Sequence, residues 1–141
     1  MTTFIHRRTV RIEWGDCDPA QIVFYPRYFA MFDGATQELF RAALGKRKID
    51  WVREHGIIGI PMVDTRARFI VPSRYGDDIV IESRVSRFGG TSFDIEHRVL
   101  RGETLAIEGF ETRVWAGADP DKPGAIKGYR IPDAVKASFG A

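Results

Sequence analysis

Cysteine is almost absent: Cys17 is the only one in 141 residues, so no disulfide can close within the chain. No apolar run approaches the roughly 18–20 residues that a membrane-crossing helix needs, and Met1 to Arg8 lack the apolar centre of a secretory signal. A cytoplasmic protein that makes no membrane contact is the expectation. Charge of one sign is also lacking. The net charge is +2 from 21 basic and 19 acidic residues, too small an excess to draw nucleic acid by bulk electrostatics. The three histidines, at 6, 55 and 97, are not spaced with Cys17 or with carboxylates as metal ligands are, so no metal site is expected. No glycine motif for cradling phosphates occurs; Gly89-Gly90 reads as a hairpin turn. Repeats, linkers and low-complexity tracts are missing too. What remains, with 44% hydrophobic residues, is one domain spanning 1–141 and large enough to bury a core.

The chemistry is expected in the stretch from Glu13 to Tyr28. It runs from the end of a strand, through a turn with two aspartates and a cysteine, to the start of a long helix. Asp18-Pro19 is a turn signal, because proline drives its predecessor out of the helical region. Tyr25-Pro26 marks a helix start, where the missing proline N–H costs nothing. An acid is thereby held a few residues before a helix N-terminus whose free N–H groups can receive developing negative charge. Acyl transfer requires both of these parts.

Along the chain, Val10, Ile12 and Trp14 alternate with Arg11 and Glu13 and predict a strand over 9–14. Tyr25, Tyr28, Phe29, Phe32, Thr36, Leu39, Phe40, Ala43 and Leu44 recur at helical spacing up to Gly45. A short helix over 50–55 closes on Gly56. The second half then changes to period two, with strands through Val63–Val71, Ile79–Ser86, Phe93–Val99 and Leu105–Trp115. Turns at 75–78, 89–90 and 101–102 separate them. In the last strand the apolar phase slips from Leu105 and Ile107 to Phe110 and Val114, which predicts a bulge near Gly109. Residues 118–124 read as a loop, followed by a possible edge strand over 125–131. The fold class is α+β, an antiparallel sheet of about five strands wrapped around one long central helix. One helix cannot cover the whole sheet, so a homodimer or homotetramer is expected.

Trp14-Gly-Asp-Cys-Asp-Pro-Ala20, followed by Ile22-Val-Phe-Tyr-Pro-Arg-Tyr28, resembles the 4-hydroxybenzoyl-CoA thioesterase group of hotdog-fold enzymes. Gly56-Ile-Ile-Gly-Ile-Pro61 and Tyr75-Gly-Asp-Asp78 extend the resemblance over most of the chain. It implies an oligomeric acyl-CoA thioesterase that needs no cofactor. It places Asp18 as nucleophile or as general base toward water, and the backbone N–H of Tyr25 as the group polarising the thioester carbonyl. Asp33 falls on the acyl-pocket wall, where a carboxylate can meet a polar group of the substrate. Three positions depart from the pattern. Gln21 stands where many members have glycine, and Ile60 on the pocket wall replaces a small polar residue. Gly89-Gly90-Thr91 replaces a basic run found in some members, which moves the expected contacts to the CoA phosphates onto Arg87 and Lys127.

From the residues alone, Asp18 serves equally as a turn former or as a catalytic acid; the resemblance favours catalysis. Asp16 reads as the turn former, Cys17 as a small buried residue and His97 as a hydrogen-bonded core residue. Two alternatives stand beside thioester hydrolysis. An enoyl-CoA hydratase or dehydratase on the same fold needs an acid/base pair, usually with histidine. A non-catalytic acyl-CoA-binding protein would leave the aspartate idle.

Overall fold

The computed structural model describes residues 2–141. The first strand, β1 (His6–Arg11), ends before a tight turn at Trp14–Asp16. It is followed by α1 (Pro26–Leu44), α2 (Lys48–His55), β2 (Met62–Phe69), β3 (Asp78–Phe88), β4 (Ser92–Arg101) and β5 (Thr104–Val114). The short strands β6 (Ala116–Ala118) and β7 (Ile126–Gly128) and a last helix, α3 (Asp133–Ser138), complete the chain. The five long strands form one antiparallel sheet in the order β1-β3-β4-β5-β2. With α1 packed along it, this is the hotdog arrangement.

Local sequence explains where α1 begins and ends. Pro26 occupies its first turn, and Gly45 takes the left-handed conformation (φ +68°) while its N–H bonds Arg41 O. Between these limits Tyr28, Phe32, Ala35, Thr36, Leu39 and Phe40 are buried. The first half of this stripe meets Ile12, Ile79, Ile81, Val99 and Ile107 in one apolar cluster. The second half meets Val85, Phe93, Ile95 and Trp115, joined by Trp51 of α2 and by Val135 and Phe139 beside α3. Each such fully buried side chain stabilises by about 1.5–3 kcal/mol relative to exposure.

Several expectations are corrected. The first strand lies over 6–11 rather than 9–14: the Glu13 N–H donates to Asp16 Oδ2, coiling the chain at Trp14 and leaving that indole 77% exposed. The phase slip in β5 is not at Gly109, which pairs regularly with His97. Val99 faces Ile107 but Leu100 faces Leu105, so Ala106 is the extra residue. From there Ile107, Gly109, Glu111 and Arg113 point inward, and Phe110 lies outward with the Arg66 guanidinium 3.9 Å over its ring. β2 has no covered face; apart from half-buried Ala67 its residues are exposed. It forms the sheet edge, flanked by β5 alone. Residues 126–128 pair with 116–118 in a separate ribbon rather than extending the main sheet.

Gly109 sets how closely helix and sheet approach. A Cβ there would meet the Phe32 ring at 2.7 Å, and Phe32 stacks on the His97 ring with centroids 4.8 Å apart and planes 5° apart. Because the clash is with a ring held flat against His97, Gly109→Ala is expected to destabilise the protein by about 1–3 kcal/mol. Urea unfolding measures this, and a change below about 0.5 kcal/mol would contradict the role given to Gly109.

Candidate active site

The loop between β1 and α1 is held by its own backbone. Asp18 N–H donates to Ile22 O and Gln21 N–H to Asp18 O, while Cys17 and Val23 form an isolated bridge. Phe24 N–H donates to Asp16 O. Gln21 sits at φ +68°, a left-handed conformation that suits glycine better than a residue carrying a Cβ. Asp18 Oδ1 accepts the Ala20 N–H at 2.8 Å, the turn bond expected of an aspartate before proline. That bond orients the half-buried carboxylate with one oxygen engaged. Asp18 lines a cleft of about 690 Å³ with Trp14, Cys17, Gln21, Arg74 and Tyr75.

Tyr25 immediately precedes α1, and its N–H donates to no backbone acceptor among the described residues, whereas Arg27 and Tyr28 bond back to Phe24 O and Tyr25 O. The peptide dipoles of a 19-residue helix add to the positive character at this point. Beside it lies an apolar recess of about 360 Å³, lined by Val23, Tyr25, Tyr28, Phe69 and Ile107. Burial raises the Tyr28 phenol above its ordinary range, with Ser73 acting against that shift.

Asp33 and Ile60 lie elsewhere. They line a groove of about 400 Å³ together with Gln37, Lys48, Met62 and Arg113. Below the groove a row of polar side chains crosses the core between the two apolar clusters. Arg113 donates from Nη2 to Asp33 Oδ1 (2.8 Å), from Nε to Glu111 Oε1 (2.8 Å) and from Nη1 to Ile60 O (3.0 Å). Thr36 Oγ1 donates to Glu111 Oε1 at 2.7 Å. Glu111 Oε2 lies 3.2 Å from His97 Nε2, and His97 Nδ1 is 2.7 Å from Ser83 Oγ. Burial works against the Glu111 carboxylate, but its bonds to His97 and Arg113 prevail and hold it below the usual carboxylate range. Arg113 is raised: burial opposes its charge, and Glu111 and Asp33 outweigh that penalty.

A family model described as the thioesterase-like superfamily matches residues 12–139. The chain belongs to the thioesterase-like superfamily. It is 35% identical over 122 residues to 4-hydroxybenzoyl-CoA thioesterase of Pseudomonas sp. strain CBS-3, covering 83% of this chain and 86% of that one. A crystal structure of a mutant 4-hydroxybenzoyl-CoA thioesterase complexed with 4-hydroxybenzoyl-CoA aligns with a TM-score of 0.87 at 28% identity, over 96% of this chain and 98% of that one. The structure of a gentisyl-coenzyme A thioesterase, BH1999, aligns with a TM-score of 0.79 at 27% identity, over 96% and 100%.

Within this thioesterase-like chain the residues expected at the site fall into separate places. Asp18 and Tyr25 share one loop. Asp33 and Ile60 share the groove, and no cavity described above contains members of both pairs. Arg87 is engaged with Asp94, Nε to Oδ2 at 2.7 Å, and the pair holds the Asp94 carboxyl below its usual range. Lys127 lies exposed on β7, its Nζ 5.2 Å from the Tyr129 ring centre. Asp16 caps the turn at Trp14, and His97 is a hydrogen-bonded core residue, both as expected. Glu111 and Arg113 were not foreseen. Their signal was available: both are in phase with Ile107 on a strand facing His97, a buried histidine in need of partners.

Glu111 ties stability to acid. Its folded-state value is lowered, so its contribution is complete above the ordinary carboxylate range near 4.5 and is lost as pH falls through the lower folded value. Glu111→Gln should therefore be clearly less stable than wild type at pH 7, and the gap should narrow from about pH 4.5 downward. Urea unfolding at a series of pH values measures the gap; one of constant size down to pH 3 would refute the linkage.

Proposed function

We propose that the chain hydrolyses an acyl-CoA thioester to a free acid and CoA, with aromatic acyl groups such as 4-hydroxybenzoyl the first class to test. The observation that carries this reading is the Tyr25 N–H, without an acceptor among the described residues, at the N-terminus of a long helix on the loop that presents the Asp18 carboxylate. The matches to 4-hydroxybenzoyl-CoA thioesterase support it. With the thioester carbonyl at the Tyr25 N–H, charge developing on its oxygen meets a fixed donor and the positive end of the helix. Two routes then fit. Asp18 attacks the carbonyl carbon, the C–S bond breaks to release CoA thiolate, and water cleaves the resulting anhydride. Alternatively, Asp18 takes a proton from a water that attacks the same carbon. None of the three histidines lines the Asp18 cleft, which favours this chemistry over a histidine-dependent hydratase.

In this reading residues 1–141 act as a single hotdog domain in a homodimer or homotetramer. The exposed β2 edge, with Met62, Val63 and Phe69 uncovered, supports pairing with a second copy. Such pairing also offers a way to unite the Asp18 loop of one copy with the Asp33 groove of another. Arg87 and Lys127 are the candidate cations for the CoA phosphates.

The decisive measurement is thiol release from a panel of acyl-CoAs. Asp18→Asn keeps the turn bond to Ala20 and removes the charge, so turnover should fall by about 10³ or more in folded protein of unchanged assembly. Cys17→Ser should keep most activity. An active Asp18→Asn beside a dead Cys17→Ser would replace the carboxylate mechanism with a thiol one. In the same assay Lys127→Ala should raise KM more than it lowers kcat, because a remote phosphate contact is made equally in ground and transition states; an unchanged KM would place the phosphates elsewhere. Sedimentation velocity on active enzyme should give a dimer or larger, and a monomer at micromolar concentration would end the shared-site reading.

A further inference from the structure

We propose that Arg113 is a positioning residue for acyl-group selection: fixed by Glu111 and the Ile60 carbonyl, it holds Asp33 so that the groove favours acyl groups bearing a hydrogen-bond donor. The proposal rests on the thioesterase reading and deepens it. Asp33 alone is poorly placed to discriminate. It lies on the outer flank of α1 with its side chain 59% exposed, where a free carboxylate would sample several rotamers. Arg113 is the opposite, with 4% of its side chain exposed and all three guanidinium nitrogens occupied. Two of its partners do not move with substrate. Ile60 O belongs to the buried groove wall, and Glu111 is pinned in turn by Thr36 on α1. The third nitrogen grips Asp33 Oδ1, and Oδ2 takes no hydrogen bond among the described residues. The guanidinium fork thereby transfers the rigidity of the sheet to one oxygen of a surface carboxylate and leaves the other available.

A second observation points to the same kind of ligand. Gln37, one turn further along α1, lines the groove with its Oε1 buried and without a partner. Asp33 Oδ2 and Gln37 Oε1 thus lack partners among the described residues at a groove walled by Ile58, Ile60 and Met62 and bordered by the cations Lys48 and Arg113. Such a surface suits a flat or short apolar acyl group ending in a hydroxyl or amine. An acyl group without the donor would leave the acceptors desolvated and unpaired, and sites of this type reject such analogues strongly.

The test compares kcat/KM for 4-hydroxybenzoyl-CoA and benzoyl-CoA in the full-length protein. Wild type should prefer the hydroxylated thioester by about 10² or more, and Asp33→Ala should bring the ratio near one. Arg113→Lys keeps the charge but cannot make the three bonds, so it should reduce the ratio at least tenfold, the loss of kcat/KM falling on 4-hydroxybenzoyl-CoA more heavily than on benzoyl-CoA. Adding Arg113→Lys to Asp33→Ala should change the ratio no further, since the two act as one unit. If Arg113→Lys does not accumulate as folded protein, the double variant Arg113→Met/Glu111→Leu removes both buried charges together and should show the same loss of preference. Equal losses on both substrates would make Arg113 merely structural and overturn the proposal. A ratio lost in Asp33→Ala but kept in the Arg113 variants would overturn it while leaving the Asp33 contact standing. A ratio kept in Asp33→Ala, or absent in wild type, would remove both, with Asp18→Asn still deciding whether the chain is a thioesterase. Hydrolysis of neither thioester by wild type would overturn the proposal, and only the absence of thiol release from every member of the acyl-CoA panel would overturn the reading beneath it.

Discussion

The contact of Phe32 with Gly109 and His97 governs how this molecule is put together. A helix can lie close along a sheet only where some residue gives up its side chain, and on β5 that residue is Gly109. The Phe32 ring fills the space and lies flat on His97, which aligns α1 with the centre of the sheet. Both candidate regions hang from that alignment. The N-terminus of α1 carries Tyr25 to the Asp18 loop, and one residue beyond Phe32 the same helix delivers Asp33 to Arg113. A change in helix height would displace Tyr25 and Asp33 together.

A row of buried charge across the middle of the core is costly by ordinary accounting, because desolvation of an ion pair often exceeds its attraction. Here the costs are offset locally. Glu111 is bonded by Arg113 and Thr36 and faces His97, and Arg113 is left with no idle nitrogen. The row divides the apolar interior into two clusters, one below each half of α1. Its geometric demands also fix the registration of the helix on the sheet, since a hydrophobic core of similar volume would tolerate sliding that these directional bonds do not.

Much of this was legible in the sequence, where single residues carry unambiguous local chemistry. Pro26 and Gly45 bound α1, Gly56 ends α2, and strict alternation in β3 and β4 marks their buried faces. The Asp18-Pro19 turn was equally plain. What could not be read depended on partners distant in sequence. Phe110 and Val114 are apolar and alternate as core residues do, but the phase of β5 is decided by Gly109 and by the charged pair Glu111 and Arg113, whose partners are His97 and Asp33. The start of the turn after β1 was missed because the Glu13–Asp16 bond overrides an alternation that continues to Trp14. Helix α3 is short, and its Val135, with Phe139 just beyond it, becomes buried only against the end of α1 and the sheet.

The uncovered edge of β2 has a consequence for the free chain. Eight residues of extended backbone with one side unpaired form a template that any extended polypeptide can join. Arg66 and Arg68 alternate there with Thr65 and Ala67, and because side chains change face at every residue, a slip of one position would turn both arginines to the opposite side. A strand that complements this charge pattern would pair more favourably than one that does not. The free chain is exposed to misassembly for as long as that edge stays open, so at a given stability its risk of aggregation rises with concentration.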